Sequence, residues 1–282
     1  SKFPDYASTG LDPLAHYLVH GRKLGLDISR LYLSLRDFEV ATVPAVDLEG
    51  CIDVIVPVYR DLAETRRCLE SVLASTNRMR TRLRVINDFS PEPEVTAYLR
   101  ELAGRGGVIL QENASNLGFV RTVNSGMRAA LDEPDCAAVI LLNSDTEVAN
   151  NWVDRMCRHL GLEPQAGTVA AFSNNATICS YPKLGENQMP PGRELAEIDR
   201  IASEVNDGVS VELPTSVGFC MLISRACLEA VGFFDEEAFG RGYGEENDFS
   251  LRASQRGFKN LLATDVFVRN VGEVSFASTS SE

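Results

Sequence analysis

A chain of 282 residues with 44% hydrophobic and 24% charged content has the balance of a globular protein, long enough for one large core and a short extension. Its formal net charge of −13 argues against a nucleic-acid partner, which needs a basic face, and against simple electrostatic docking on anionic lipid. The seven cysteines (51, 68, 136, 157, 179, 220 and 227) are odd in number and scattered, with no C-x-x-C pair; several lie inside apolar runs, as in Gly218-Phe219-Cys220-Met221-Leu222. They are expected to be buried thiols of a reducing compartment rather than a disulfide frame or a zinc site. Ser1-Lys2-Phe3-Pro4-Asp5 has no signal-peptide core, and no apolar run approaches the ~18 residues of a membrane span. A soluble, cytoplasmic protein is expected, cut from something longer.

Residues 1–50 read as a helical extension and linker. Asp12-Pro13 opens an amphipathic segment through His20, and Gly21 and Gly25 close it. His16 and His20 lie one helical turn apart, but with no third ligand in view they read as a polar helix face. The regular part begins at Cys51. Ile52 to Tyr59 is a predicted strand with Pro57 at its end, where a residue without an N–H is tolerated. Residues 61–75 follow as a helix with Leu69, Val72 and Leu73 as its apolar stripe. Leu83 to Ile86 is a second strand, ending in Asn87-Asp88-Phe89-Ser90-Pro91. A helix through about Leu102 leads to a third strand, Val108 to Leu110. A further helix runs from about Phe119 to Leu131. The central strand is Ala138-Val139-Ile140-Leu141-Leu142, five consecutive apolar residues of the kind a parallel sheet buries on both faces.

This alternation predicts a doubly wound α/β domain over residues 51–272, with a mostly parallel sheet and helices on both faces. In such sheets ligands bind beyond the carboxyl ends of the strands. Polar residues gather at each of those ends, most of all Asn143-Ser144-Asp145 after the central strand. A carboxylate there, with no Lys or Arg nearby in sequence, suits a hard divalent cation that in turn holds a phosphate. No G-x-G-x-x-G follows the first strand and no G-x-x-x-x-G-K-[ST] occurs, which disfavours a dinucleotide dehydrogenase and a P-loop enzyme.

Five stretches in order carry a more specific signal: Ile55-Val56-Pro57-Val58-Tyr59, Val85-Ile86-Asn87-Asp88-Phe89-Ser90-Pro91, Asn116-Leu117-Gly118-Phe119 with Asn124-Ser125-Gly126, Leu141 to Glu147, and Gly242-Tyr243-Gly244-Glu245-Glu246-Asn247-Asp248-Phe249. Together they resemble the family 2 glycosyltransferases of the GT-A fold, in a bacterial polysaccharide or rhamnosyltransferase-like branch. The helical extension likewise resembles a short module of bacterial polysaccharide-assembly proteins.

The resemblance implies a nucleotide-binding half (51–147), an acceptor half (148–272) and a tail (273–282). It implies inverting transfer of a sugar from a nucleoside diphosphate to a hydroxyl of a glycan or lipid-linked acceptor. Pro57, Tyr59 and Asp88 would frame base and ribose. Asn116, Gly118 and Asn124 would line the donor site, with Arg121 reaching the diphosphate. Asn143, Ser144 and Asp145 occupy the family's D-x-D position, so Asp145 becomes the principal ligand of Mg²⁺ or Mn²⁺. Glu246 would be the catalytic base, with Glu245 and Asp248 binding acceptor or anchoring the loop. One departure stands out: where many relatives carry a histidine, this chain has Asn270, a weaker metal ligand. Residues 173–214, with the loop through Met189-Pro190-Pro191-Gly192 as a lid, would form the acceptor side. Association at the inner membrane face stays open. So do two other classes: a glycosyltransferase-fold module that binds without turnover, and a sugar-phosphate nucleotidyltransferase, which would want a basic Gly-rich loop after the first strand.

Overall fold

The computed structural model describes residues 48–182, 188–189, 192–240 and 242–272. The chain divides into two compact units at Pro44/Ala45, and the first lies wholly outside the described residues, as do His16, His20 and the tail. Among the described residues, nine strands and eight helices run in the order β1 (Cys51–Val58), α1 (Leu62–Ala74), β2 (Arg80–Asn87), α2 (Pro93–Gly104), β3 (Val108–Glu112), α3 (Phe119–Leu131), β4 (Cys136–Leu142), β5 (Thr146–Glu147), α4 (Trp152–Leu162), β6 (Ala166–Ser173), α5 (Leu195–Val205), β7 (Ser210–Leu213), β8 (Cys220–Ser224), α6 (Arg225–Val231), α7 (Glu236–Phe239), α8 (Glu245–Gln255) and β9 (Lys259–Asn270).

The strand order is β3-β2-β1-β4-β8-β6-β9-β5, with β7 beside β9. Strands β1 to β4 pair in parallel, as the alternation predicts. Beyond β4 the sheet is mixed: β8 runs antiparallel between β4 and β6, and β9 pairs parallel to β6 but antiparallel to β5 and β7. The antiparallel β8 brings its amino end to the same edge as the carboxyl end of β4. That edge is where the polar residues collect.

Alternation along β4 shows why the sheet needs helices on both faces. Ala138, Ile140 and Leu142 enter one apolar cluster, with Cys68 and Leu69 of α1, Leu99 of α2 and Trp152 of α4. Val139 and Leu141 enter another, with Val123 and Met127 of α3, Leu228 of α6 and Phe249 of α8. Each side chain of a two-faced strand thus leaves water, at about 25 cal/mol per Å² of apolar area removed. The approach of α3 is unusually close. A Cβ on Gly126 would meet Ile55 Cγ2 at 2.7 Å and Ile86 Cδ1 at 2.8 Å, so only glycine fits there.

All seven cysteines are buried and unpaired, as expected. Burial pushes Cys68 and Cys157 up to about 12, so they are inert packing groups. The expected α1 stripe needs correction: the buried face is Thr65, Cys68 and Leu69, while Leu73 is 45% exposed because the helix ends one residue later. No helix among the described residues is long and apolar enough to cross a membrane.

Candidate active site

The strand order reverses between β1 and β4, since β2 and β3 lie on one side of β1 and the rest of the sheet on the other. Such a switch point opens a crevice at the carboxyl ends, flanked here by Val58-Tyr59 and Asn143-Ser144-Asp145. Pro57 lies past the last β1–β4 pair, Ile55 with Leu141. Tyr59 is partly buried, with the Arg60 guanidinium 5.1 Å from its ring centre.

Asp88 has a different occupation from the one the resemblance implies. It is almost fully buried and accepts from Leu117 N (2.8 Å), Gly118 N (2.9 Å) and Asn113 Nδ2 (2.8 Å). Both oxygens hold the loop that enters α3, so Asp88 fixes the loop beside this crevice. Within the loop, Asn116 Oδ1 also accepts from Gly118 N at 2.9 Å. Gly118 itself has φ +80°, a conformation that favours glycine.

Asn124, placed in the donor site by its motif, has a structural set of partners. It is completely buried, donates to Phe234 O (2.9 Å) and Glu236 Oε1 (2.9 Å), and accepts from Phe234 N (3.1 Å). Asn124 ties α3 to the 234–236 turn. Arg121, one turn earlier, is exposed and lies 3.8 Å from the Glu236 carboxylate, a loose surface pair that leaves it able to turn to an anion.

At the end of β4 the chain makes a tight turn. Asn143 O accepts from Thr146 N (3.2 Å), Thr146 Oγ1 (2.7 Å) and Cys68 Sγ (3.4 Å), while Asn143 N donates to Phe219 O (2.9 Å). Ser144 is partly buried in this turn. Asp145 O accepts from Val271 N and its Oδ2 from Gly272 N, each at 3.1 Å. Burial above all pushes the Asp145 carboxyl up, and the Glu64 and Asp61 charges push the same way, against the hydrogen bond from Gly272. A carboxylate so placed gains from a nearby cation.

Asn270 comes to the same place because β5 and β9 pair Thr146 with Asn270. Its Nδ2 donates to Asn175 O at 2.8 Å, and its Oδ1 is a buried oxygen without a partner among the described residues. A carboxylate and an orphaned amide oxygen form a hard donor set, and they fit Mg²⁺ or Mn²⁺, which complete their shells with water and phosphate oxygens. Among the described residues no group of three His, Cys, Asp or Glu side chains could hold a metal by itself.

The acidic stretch opens α8 and divides three ways. Glu245 is buried, with Oε2 lacking a hydrogen-bond partner among the described residues, and burial pushes its carboxyl up to about 7. Asp248 accepts from Arg252 Nε (2.7 Å), whose other nitrogens donate to Val231 O and Phe233 O, so it anchors α8 to the end of α6. Glu246 is partly buried, and its side chain lies over Gly218. Gly218 precedes Phe219, whose carbonyl holds Asn143, so Glu246 reaches the edge that carries Asp145. One turn on, Ser250 Oγ accepts from Ser216 N (2.9 Å) and fixes this loop to α8.

Gly218 and Ser250 were not assigned to the site from sequence, and Asn174-Asn175 were expected on the acceptor side rather than beside Asn270. The only local signals are a glycine before a buried run and two amides at a strand end. The segment 173–214, expected on the acceptor side, contains helix α5 and edge strand β7, which composition did not reveal. Part of the expected lid (183–187 and 190–191) lies outside the described residues.

This mixed α/β sheet, with its ligand edge at the β1/β4 switch, is the GT-A architecture of glycosyltransferases. The chain resembles the structure of GalNAc-T7 with UDP, GalNAc and Mn²⁺ (TM-score 0.61, 16% identity, 80% of this chain and 44% of that one). It also resembles the mannosyltransferase PcManGT from Pyrobaculum calidifontis in complex with GDP-Man and Mn²⁺ (TM-score 0.59, 16% identity, 87% and 64%). The family model "Glycosyl transferase family 2" matches residues 53–232, and the chain belongs to that family. Curated relatives include uncharacterized proteins of Mycobacterium bovis and Mycobacterium tuberculosis, 26% identical over 158 residues. The match covers 56% of this chain and 55% of theirs, so the chain spans about half the length of these relatives.

Proposed function

We propose that the domain transfers a sugar, with inversion, from a nucleoside diphosphate to a hydroxyl of a glycan or lipid-linked acceptor in bacterial surface-polysaccharide assembly. The observation that carries this reading is the convergence of Asp145, Asn270 and Glu246 on one edge of the sheet. Tyr59 and the loop held by Asp88 would receive the nucleoside, and Arg121 would turn to the diphosphate. Asp145 and Asn270 would hold Mg²⁺ or Mn²⁺, which offsets the charge of a leaving diphosphate when bound. Glu246 would take the proton of the acceptor hydroxyl as that oxygen forms its bond to the anomeric carbon. The bond from that carbon to the diphosphate breaks, and the electron pair leaves with the nucleotide. The domain would work in the cytoplasm, with peripheral association at the inner membrane face as one setting.

A binding module without turnover is the second reading, favoured by the amides at positions 143 and 270. Thermal-shift and hydrolysis assays with UDP- and GDP-sugars, with and without Mn²⁺, separate the two. Cation-dependent stabilisation with sugar release supports the transferase, and stabilisation without release supports the module. No stabilisation by any nucleoside diphosphate would sink both.

A further inference from the structure

Two asparagines at the end of β6 hold the terminal turn of β9 as a pair. Asn174 is buried; its Oδ1 accepts from Asn270 N (2.8 Å) and its Nδ2 donates to Asn270 O (2.8 Å). One side-chain amide thus completes both backbone hydrogen bonds of Asn270, as a neighbouring strand would. Asn175 acts on either side of it. Its carbonyl accepts from Asn270 Nδ2 (2.8 Å), and its own Nδ2 donates to Val271 O (3.0 Å). Gly272 gives it room: with φ +68°, a Cβ there would lie 2.1 Å from Asn175 Nδ2. Val271 and Gly272 are in turn the residues whose N–H groups hold Asp145.

These contacts decide which atom Asn270 has to offer. Turning its amide over would set the side-chain oxygen against the Asn175 carbonyl, so Nδ2 must face Asn175, and Oδ1 is left buried without a partner among the described residues. We infer that Asn174 and Asn175 are positioning residues that present Asn270 Oδ1 and orient Asp145 for a divalent cation. The inference rests on the reading of Asp145 and Asn270 as metal ligands. Partners that orient ligands in this way typically govern metal affinity by 10–100-fold.

The test is Mn²⁺ affinity of the full chain, measured by electron paramagnetic resonance of free Mn²⁺, alone and with UDP or GDP, beside a thermal melt. Asn174→Ala and Asn175→Ala should each raise the Kd by about 10–100-fold in the folded protein. Asn206→Ala is the control for a merely structural amide: it removes a bond to Thr264 O on the same strand, away from the site, and should lower the melting temperature without moving the Kd. Should Asn174→Ala fail to fold, Asn175→Ala carries the test, because it keeps the backbone carbonyl and loses only the Val271 contact. If Asp145→Ala abolishes binding while both asparagine variants stay within twofold of wild type, the positioning role is overturned and the metal site stands. An unchanged Kd in Asp145→Ala, or a wild type that binds no Mn²⁺ under any of these conditions, overturns the metal reading and the positioning role with it.

Discussion

Glu246 lies directly over Gly218: a methyl group on Gly218 would sit 3.7 Å from Glu246 Cβ and Cγ and 4.0 Å from Cδ. The base proposed for the acceptor hydroxyl therefore lies beside the backbone of the turn that leads through Phe219 to Asn143. Glu246→Gln keeps the shape and removes the basicity, so transfer should fall by ~10²–10⁴ with nucleotide binding unchanged. Gly218→Ala meets only ordinary contacts and should be tolerated, whereas Gly218→Leu should displace Glu246 and lower turnover without abolishing donor binding. Initial rates against nucleotide affinity for the three variants check this; normal turnover in Glu246→Gln moves the base elsewhere.

Glu245 should give the protein a stability that falls with pH. Its folded pKa, about 7, lies above the carboxyl's ordinary 4.5 because burial disfavours the charged form. Below pH 4.5 both states are protonated and nothing is lost. Between 4.5 and about 7 the unfolded chain releases the proton while the folded one keeps it, so stability drops as pH rises, then levels off. Glu245→Gln should remove this slope. Melting temperatures of both proteins from pH 4.5 to 8 decide it, and parallel curves would show that Glu245 ionises normally.

Asn124 should matter to the fold rather than to the donor. Asn124→Ala leaves Phe234 N and O without their partner in the core, at a cost of about 2–3 kcal/mol. The urea midpoint should shift accordingly, while nucleotide affinity at low temperature, where the variant is folded, should stay near wild type. A tenfold loss of affinity there would return Asn124 to the donor site.

Helix α5 is held through charge. Arg155 of α4 donates to Asp199 of α5 at 2.5 Å and to Asp265 O in β9, and Asp199 also accepts from Asn150 Nδ2 (2.7 Å) and Phe267 N (3.0 Å). Asp199→Ala leaves a buried guanidinium unpaired and should destabilise by about 3–5 kcal/mol. The double variant Arg155→Met/Asp199→Leu should recover part of this, because no lone charge remains buried. Urea unfolding of the three proteins tests it; additive losses in the double variant would show that the two residues are not coupled.

The sequence by itself determined the first half of the sheet and which polar residues stand at its carboxyl edge. Strands β1 and β4 carry near-continuous apolar runs because both faces are covered, and α3 carries a 3.6-residue pattern over the bounds it has in the structure. Those signals are local, so they are legible without contacts. Tertiary structure alone decided the rest. Asn174 meets Asn270 across 96 residues of chain, and Asn124 meets Phe234 across 110, pairings that no local pattern encodes. Asp88 and Asn124 have the residue types of ligand contacts, yet both hydrogen-bond to backbone and side-chain groups that only the fold brings near. Glu246 differs from its acidic neighbours for the same reason. Successive helix positions point 100° apart, so one enters the core, one anchors to Arg252 and one reaches the edge, and what lies in each direction is set by packing.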